Sequence, residues 1–375
     1  MKTLLIIPND SMQQYIDKGY SERERTTYFN PDSFFDKVDV LSWKEDQESE
    51  YAGIKIHPFL TKHREAISDS LKDSNYSTFL HLIEDNIDEL SRIIQRTNPN
   101  IIRGYNGNWA AFLSGYIGRR YSIPSLASVH DQYSTRIDSL KEVDLVLCIS
   151  DVVKETCRDI GILEDKLVVA QEGIDLNLFY KREGKEVDTI SLEFPGTHKI
   201  LSVGRLCKEK NLENLLRAIA IVNKHLPGVI HIHAGIGYLQ DKIQQQILDL
   251  GLKNTTHLLG TIPQEELPAY YSWAKVFILS SKTEGLGNVL IEALACETPV
   301  ITSNIPPMNN IITNKFNGLT VNHTDPNDIA QKTIELLTDN HLYSITKSNA
   351  RKSVQDYSKI KRAKEEAKIY EEMLK

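Results

Sequence analysis

Cysteine is scarce in this chain, four in 375 residues, and no two of them form a Cys-x-x-Cys pair. Cys148, Cys157, Cys207 and Cys296 are scattered, three of them in apolar or small-residue contexts (LVLCIS, VGRLC, EALAC). They read as reduced, largely structural thiols of a cytosolic protein, and the spacing argues against a metal cluster. Long apolar runs are also missing; none approaches the roughly 18 residues of a membrane span. The start, MKTLLIIPNDS, has neither the apolar length nor the small-residue cleavage site of a signal peptide and reads as a first buried strand. No basic block is long enough to hold phosphate backbones non-specifically, and the net charge of −7 is spread over interspersed signs. Nothing therefore calls for a nucleic-acid partner.

What is present is ordinary core material, 41% hydrophobic, in a length that favours two domains. Short β-rich runs alternate with helical ones. In the first half strands are expected at TLLIIP, KVDVLS, IKIHPF, NIIRGY, PSLASVH, DLVLCIS and KLVVAQE, with helices near Ser77–Thr97, Asn108–Tyr121 and Asp151–Gly161, the last capped by Asp151. In the second half strands recur at HKILSVG, VIHIHAG, TTHLLG, KVFILS, PVITS and LTVNH. The helices between them are Leu212–Leu226, Leu239–Leu250, Gln264–Trp273, Asn288–Cys296 and Asn327–Leu337. This alternation predicts α/β architecture with doubly wound parallel sheets, and too many strands for one. The polar stretch Lys181–His198, which contains Gly and Pro and has no clear period, is the best linker. The predicted domains are residues 1–181 and 198–356, followed by a charged terminal helix over 357–375 whose Ile360, Tyr370 and Met373 could dock on another surface.

Two segments carry chemistry. SSKTEGLGNVLIEALACETPVITS (Ser280–Ser303) sets Glu284 in a strand-to-helix turn and Glu292 one turn into the helix, eight residues on. Gly285 and Gly287 keep that turn free of side chains. Asn288 and Glu292 share one helix face, while Leu290, Ala293 and Leu294 lie on the face a core would bury, so Glu292 is expected to point away from the core. Two carboxylates beside a helix N-terminus suit a ligand with hydroxyls and phosphates. The alternative is a surface helix with two solvated glutamates. ILSVGRLCKEKNLENLLRAI (Ile200–Ile219) ends a buried strand at Gly204, follows it with Arg205 and Lys210, and starts a helix after Asn211, the expected cap. Two cations there suit a diphosphate, Arg as a fork and Lys as a point charge; on spacing alone they could equally pair with Glu209 and Glu213.

Together the segments resemble the family-four retaining glycosyltransferases: Glu-Gly, seven residues, Glu-Ala, then Pro-Val in one, and Val-Gly-Arg-Leu with Glu-Lys-Asn in the other. The resemblance implies the GT-B architecture, two Rossmann-like domains facing a cleft, with the last helix crossing back onto the N-terminal domain. It assigns Arg205 and Lys210 to the nucleotide diphosphate, Glu292 to the ribose hydroxyls and Glu284 to hydroxyls of the donor sugar. It also implies that backbone around Gly204, Gly285, Leu286, Gly287, Asn288 and Val289 faces the sugar or its phosphate. The turn at Gly235 and the loop at Thr261 and Ile262 would lie against the nucleotide, and His130 would stand close to the sugar.

The first half matches more loosely. The family's usual Asn-Gly-Val-Asp stands here as Glu172-Gly173-Ile174-Asp175, and its usual glycine-rich first loop is NDSMQQYIDKGYSERERTTYFNP; in the second half, Asn309 or Asn310 stands where the family often has a glutamate. Acceptor contacts do not transfer; Arg23, Arg25, Arg103 and Asn106 are candidates by position and chemistry. The implied activity is retaining transfer of a hexosyl group from a nucleotide diphosphate sugar, UDP first and GDP second, to a glycan or lipid-linked acceptor in surface polysaccharide synthesis. No Asp-x-Asp occurs, so no metal and no other cofactor is expected. The location would be cytoplasmic, at most in peripheral contact with the inner face of the membrane, although no basic amphipathic helix supports that contact. Two other readings stay open: a catalytically silent nucleotide-sugar-binding partner, and another enzyme on the same fold such as an epimerase. A dehydrogenase is disfavoured, since neither half opens with Gly-x-Gly-x-x-Gly after its first strand, and the later Gly235-x-Gly237 turn has Gln240 where a third glycine would stand.

Overall fold

The computed structural model describes residues 1–17, 28–45, 47–67, 76–132 and 137–375. They form two compact units, residues 1–172 with 362–375, and residues 173–361. The fold is GT-B, each unit built on its own sheet with helices between strands.

The first unit holds β1 (Thr3–Ile7), β2 (Lys37–Ser42), β3 (Ser49–Tyr51), β4 (Ile54–Pro58), β5 (Ile101–Tyr105), β6 (Ser125–Val129), β7 (Leu145–Cys148) and β8 (Leu167–Val169), ordered β3-β4-β2-β1-β5-β6-β7-β8. All neighbours are parallel except the short β3–β4 pair at one edge. The second holds β9 (His198–Val203), β10 (Val229–Ala234), β11 (Thr256–Gly260), β12 (Val276–Leu279), β13 (Val300–Ser303) and β14 (Leu319–Val321), all parallel and ordered β11-β10-β9-β12-β13-β14. Helices cover both faces of such sheets, so the central strands β1, β5, β6, β10, β12 and β13 are buried along their whole length. The order reverses between β9 and β12, the switch point outside whose carboxyl ends open α/β sheets bind ligands.

Several local expectations are corrected. The helix over Ser77–Thr97 is two, Tyr76–Asp85 and Ile87–Thr97, broken at Asn86, whose side chain donates to the Leu82 carbonyl. Ser150, not Asp151, caps its helix by accepting from the Val153 amide. The stretch read as a linker, Lys181–His198, contains the helix Lys185–Glu193. The terminal helix Lys359–Met373 joins the first unit from Arg362 onward; there Tyr370 is fully buried against Phe34 and Phe35, while Ile360 is exposed.

Candidate functional site

The site is built at the carboxyl ends of β9 and β12. Beyond β9 the chain runs through Gly204, Arg205 and a single 3-10 turn, Lys208–Lys210, into the helix Leu212–His225. Beyond β12 it passes Ser281 and Glu284 and enters the helix Asn288–Ala295 at Gly287, whose φ of +84° suits glycine. Asn211 was expected to cap its helix; instead it is left-handed (φ 56°) and its side chain makes no cap. Its Nδ2 donates to the carbonyls of Ser280 (3.0 Å) and His323 (2.8 Å). The Lys282 amide donates to the Glu209 carbonyl (2.7 Å), so the two loops are sewn together by backbone as well as side chain.

That stitching brings Lys210 to Glu284. Lys210 Nζ lies 2.6 Å from Glu284 Oε1, and Ser281 Oγ donates to the same oxygen at 2.6 Å. Neither Glu209 nor Glu213 takes Lys210; Glu213 pairs with Lys242. Arg205 is exposed and makes no ion pair among the described residues. Glu292 is not turned away from the core as expected. It is 7% exposed and its Oε2 accepts from the hydroxyl of Tyr271 at 2.8 Å. Tyr271 is fully buried against Phe277 and Phe179, and burial, then the Glu292 carboxylate, raise its pKa well above that of a free tyrosine. Tyr271 is the residue that sequence reasoning missed. Neither glutamate is thus a solvated surface group.

Gly235, at the end of β10, closes a third side. Its amide donates to the Gly260 carbonyl (2.7 Å), which places the exposed Thr261 and half-buried Ile262 next along that rim. Its φ is +137°, and a Cβ there would stand 2.0 Å from the Gly204 carbonyl oxygen. Gly235→Ala must therefore both strain the backbone and push the Gly204–Arg205 loop away. We expect it to lose at least about 2 kcal/mol of stability, read by denaturant unfolding; an unchanged midpoint would show that the turn tolerates a side chain.

Beneath these turns lies a buried polar chain. Ser202 Oγ is 2.9 Å from His231 Nε2 and 2.8 Å from His233 Nδ1, His233 Nε2 is 3.0 Å from the Gly204 carbonyl, and His231 Nδ1 is 3.4 Å from Thr256 Oγ1. Burial, then the neighbouring His233 and His257, push His231 down to about 3; burial likewise lowers His233 to about 4, against the opposing pull of the Gly204 carbonyl. The unfolded chain takes up these protons near pH 6.5 while the native state resists, so stability falls as pH drops from there. The expected slope is about 1.4 kcal/mol per pH unit for each histidine down to about pH 4. Denaturation across pH 7 to 4 checks it, and His231→Asn should flatten the fall.

In the first unit His130 Nδ1 is 3.1 Å from Glu172 Oε1, its Nε2 is 3.4 Å from the Tyr28 hydroxyl, and its ring stacks on Tyr105. Arg103 is turned into the first unit. It is 4% exposed and bonded to Ser128, Glu366 and Tyr370, a clasp that holds the terminal helix. Asn106 is left-handed at φ 69°; Arg23 and Arg25 lie outside the described residues. Asn309 and Asn310 are both exposed. All four cysteines are free and buried. Among the described residues no helix is long and apolar enough to cross a membrane.

Comparison with known proteins gives matching families for both halves. "Glycosyl transferases group 1" matches residues 185–353 and "Glycosyltransferase Family 4" matches residues 38–178. A glycosyltransferase of Methanocaldococcus jannaschii, MJ1607, named as uncharacterized, is 30% identical over 264 residues, 68% of this chain and 66% of that protein. The alpha-monoglucosyldiacylglycerol synthase of Streptococcus pneumoniae is 29% identical over 227 residues, 54% of this chain, which spans only about half (51%) of that relative's length. Among solved structures, Anabaena HepE in complex with UDP superposes with a TM-score of 0.76 at 16% identity, covering 99% of this chain and 100% of that one.

Proposed function

Since this chain belongs to the glycosyl transferases of group 1, with a family-four N-terminal half, we propose that it transfers a hexosyl group from a UDP-sugar, with retention, to a hydroxyl of a glycan or lipid-linked acceptor. The observation that carries the reading is the Lys210–Glu284 pair at the β9/β12 switch point, with Arg205 on the loop beyond β9 and Glu292 on the helix beyond β12.

In this reading the glycosidic C1–O bond of the donor breaks and its electron pair passes to the diphosphate. Arg205 and Lys210 stabilise that developing charge, a task preorganised cations perform without reorganising during the reaction. The acceptor oxygen bonds to C1 on the same face, and its proton goes to the departing phosphate. Glu284, already held by Lys210 and Ser281, accepts from sugar hydroxyls, and Glu292 accepts from the ribose. No metal is required, because the two cations occupy its role. The uridine base finds support in the UDP held by the Anabaena neighbour, and a lipid hydroxyl as acceptor in the name of the streptococcal relative. Surface-polysaccharide synthesis, at the cytoplasmic face of a membrane, is the setting we propose.

Calorimetric titration without metal against UDP, GDP and ADP tests this. We expect micromolar UDP binding, weakened about tenfold to a hundredfold in Arg205→Ala, the worth of a charge-assisted hydrogen bond. A folded protein that binds none of the three would overturn the reading.

A further inference from the structure

The buried chain under the site has a property that its distances alone determine. A serine hydroxyl has one proton and here stands between two imidazole nitrogens, His231 Nε2 and His233 Nδ1. The far nitrogen of His233, Nε2, faces a carbonyl oxygen, that of Gly204, which can only accept. His233 must therefore carry its proton on Nε2, and when neutral its Nδ1 is a bare acceptor. Ser202 must donate to that Nδ1. Its oxygen is then left to accept from His231 Nε2–H, and His231 Nδ1, bare in turn, accepts from the Thr256 hydroxyl. Every proton runs one way, from β11 across β10 and β9 to the phosphate-side turn. With both rings neutral, no other assignment satisfies all four contacts. All four side chains are buried: Thr256 5%, His231 0%, Ser202 4% and His233 2% exposed.

The end of the chain matters. Fixing the Gly204 oxygen fixes the plane of the Gly204–Arg205 peptide, and in a trans peptide the N–H points opposite to the carbonyl. The oxygen is held inward by His233, so the Arg205 N–H faces outward, on an exposed residue. The flanking amides are spent: Gly204 N donates to the Ala234 carbonyl (2.9 Å) and Leu206 N to the Ile236 carbonyl (3.0 Å). Among the described residues the Arg205 amide has no backbone acceptor.

We propose that the Thr256–His231–Ser202–His233 chain is a positioning device that turns the Gly204–Arg205 peptide so that the Arg205 backbone amide, beside its own guanidinium, donates to a phosphate oxygen of the nucleotide. This deepens the UDP-sugar reading and rests on it for the ligand, while the proton order and the peptide's orientation stand without it. His233 is a positioning residue; the Arg205 amide is the contact.

The test uses the full chain, labelled with 15N. Long-range proton–nitrogen spectra at pH 7 should show both His231 and His233 as Nε2–H tautomers; an Nδ1–H form or an imidazolium at either overturns the proposal. The Arg205 amide should exchange fast in the free protein and at least tenfold slower with saturating UDP. His233→Leu should weaken UDP binding about tenfold, whereas His233→Gln, whose amide NH2 can still reach the Gly204 oxygen, should stay within threefold of wild type. Equal losses in both variants, or an Arg205 amide protected before UDP is added, overturn the proposal. Should the wild type bind no UDP, the functional reading fails. The tautomers, together with the Arg205 amide shift in His233→Leu against His233→Gln, then still decide whether the chain orients this peptide.

Discussion

Lys210→Ala should lower the turnover of a UDP-sugar, followed as UDP release, by about 10²–10³-fold, the worth of a single preorganised group at a developing anion. The structure gives two reasons for placing the largest loss here. Lys210 is 2.6 Å from Glu284, and both side chains are largely withdrawn from water, 19% and 9% exposed. A cation so held costs no rearrangement when negative charge appears on a leaving diphosphate. Deleting it also leaves Glu284 with a carboxylate that has lost its charge partner, and breaking a buried pair from one side costs more than the pair was worth. The variant should therefore be less stable as well as slower. Lys210→Arg separates these effects, since it restores the charge to Glu284 but brings a planar fork in place of a compact ammonium. Stability should recover more than turnover. Full turnover in a folded Lys210→Ala protein would remove Lys210 from the chemistry.

The pairing of Lys210 with Glu284 marks where sequence reading stops. Each residue could be singled out from its own segment, because a strand end, a glycine turn and a helix start are local patterns. That the two meet depends on β9 and β12 being neighbours, a relation between segments 74 residues apart that no spacing encodes. Glu292 shows the same limit in another form. Helical periodicity set it on a different face from Leu290, Ala293 and Leu294, but periodicity gives an angle and not the neighbour: Leu290–Ala295 is buried throughout, and the neighbour of Glu292 is Tyr271 in the core. The parallel strands were legible because strands buried on both faces read as continuous apolar runs, whereas the short, mostly exposed, antiparallel β3 carries no such run and was not expected. Nor was the helix Lys185–Glu193 legible: of its apolar residues Val187, Ile190 and Leu192 only Ile190 is buried and Leu192 is exposed, so its few apolar residues give no clear stripe. One signal was available and passed over: His231 and His233, two apart in a strand, must share a face, and two histidines on one face of a buried strand need partners.

Glu292 and Tyr271 lead to the other large effect. A carboxylate has about four acceptor directions, so taking the Tyr271 proton at 2.8 Å does not exhaust it. Tyr271 is immobilised by burial and holds the carboxylate in one orientation before any ligand arrives. If Glu292 then accepts from both ribose hydroxyls, each charge-assisted bond contributes roughly 1.5–3 kcal/mol, and Glu292→Ala should weaken UDP binding by about a hundredfold or more. Tyr271→Phe removes only the orienting bond and should cost less, about tenfold, the worth of roughly 1.4 kcal/mol. The ligand supplies the decisive control. UDP lacking its ribose hydroxyls should bind wild type as weakly as UDP binds Glu292→Ala, and should lose almost nothing further in that variant, because two changes that remove one interaction do not add. Equal affinity of wild type for UDP and its dideoxy analogue would mean that Glu292 meets no ribose. Its burial with Tyr271 would then be a feature of the core alone.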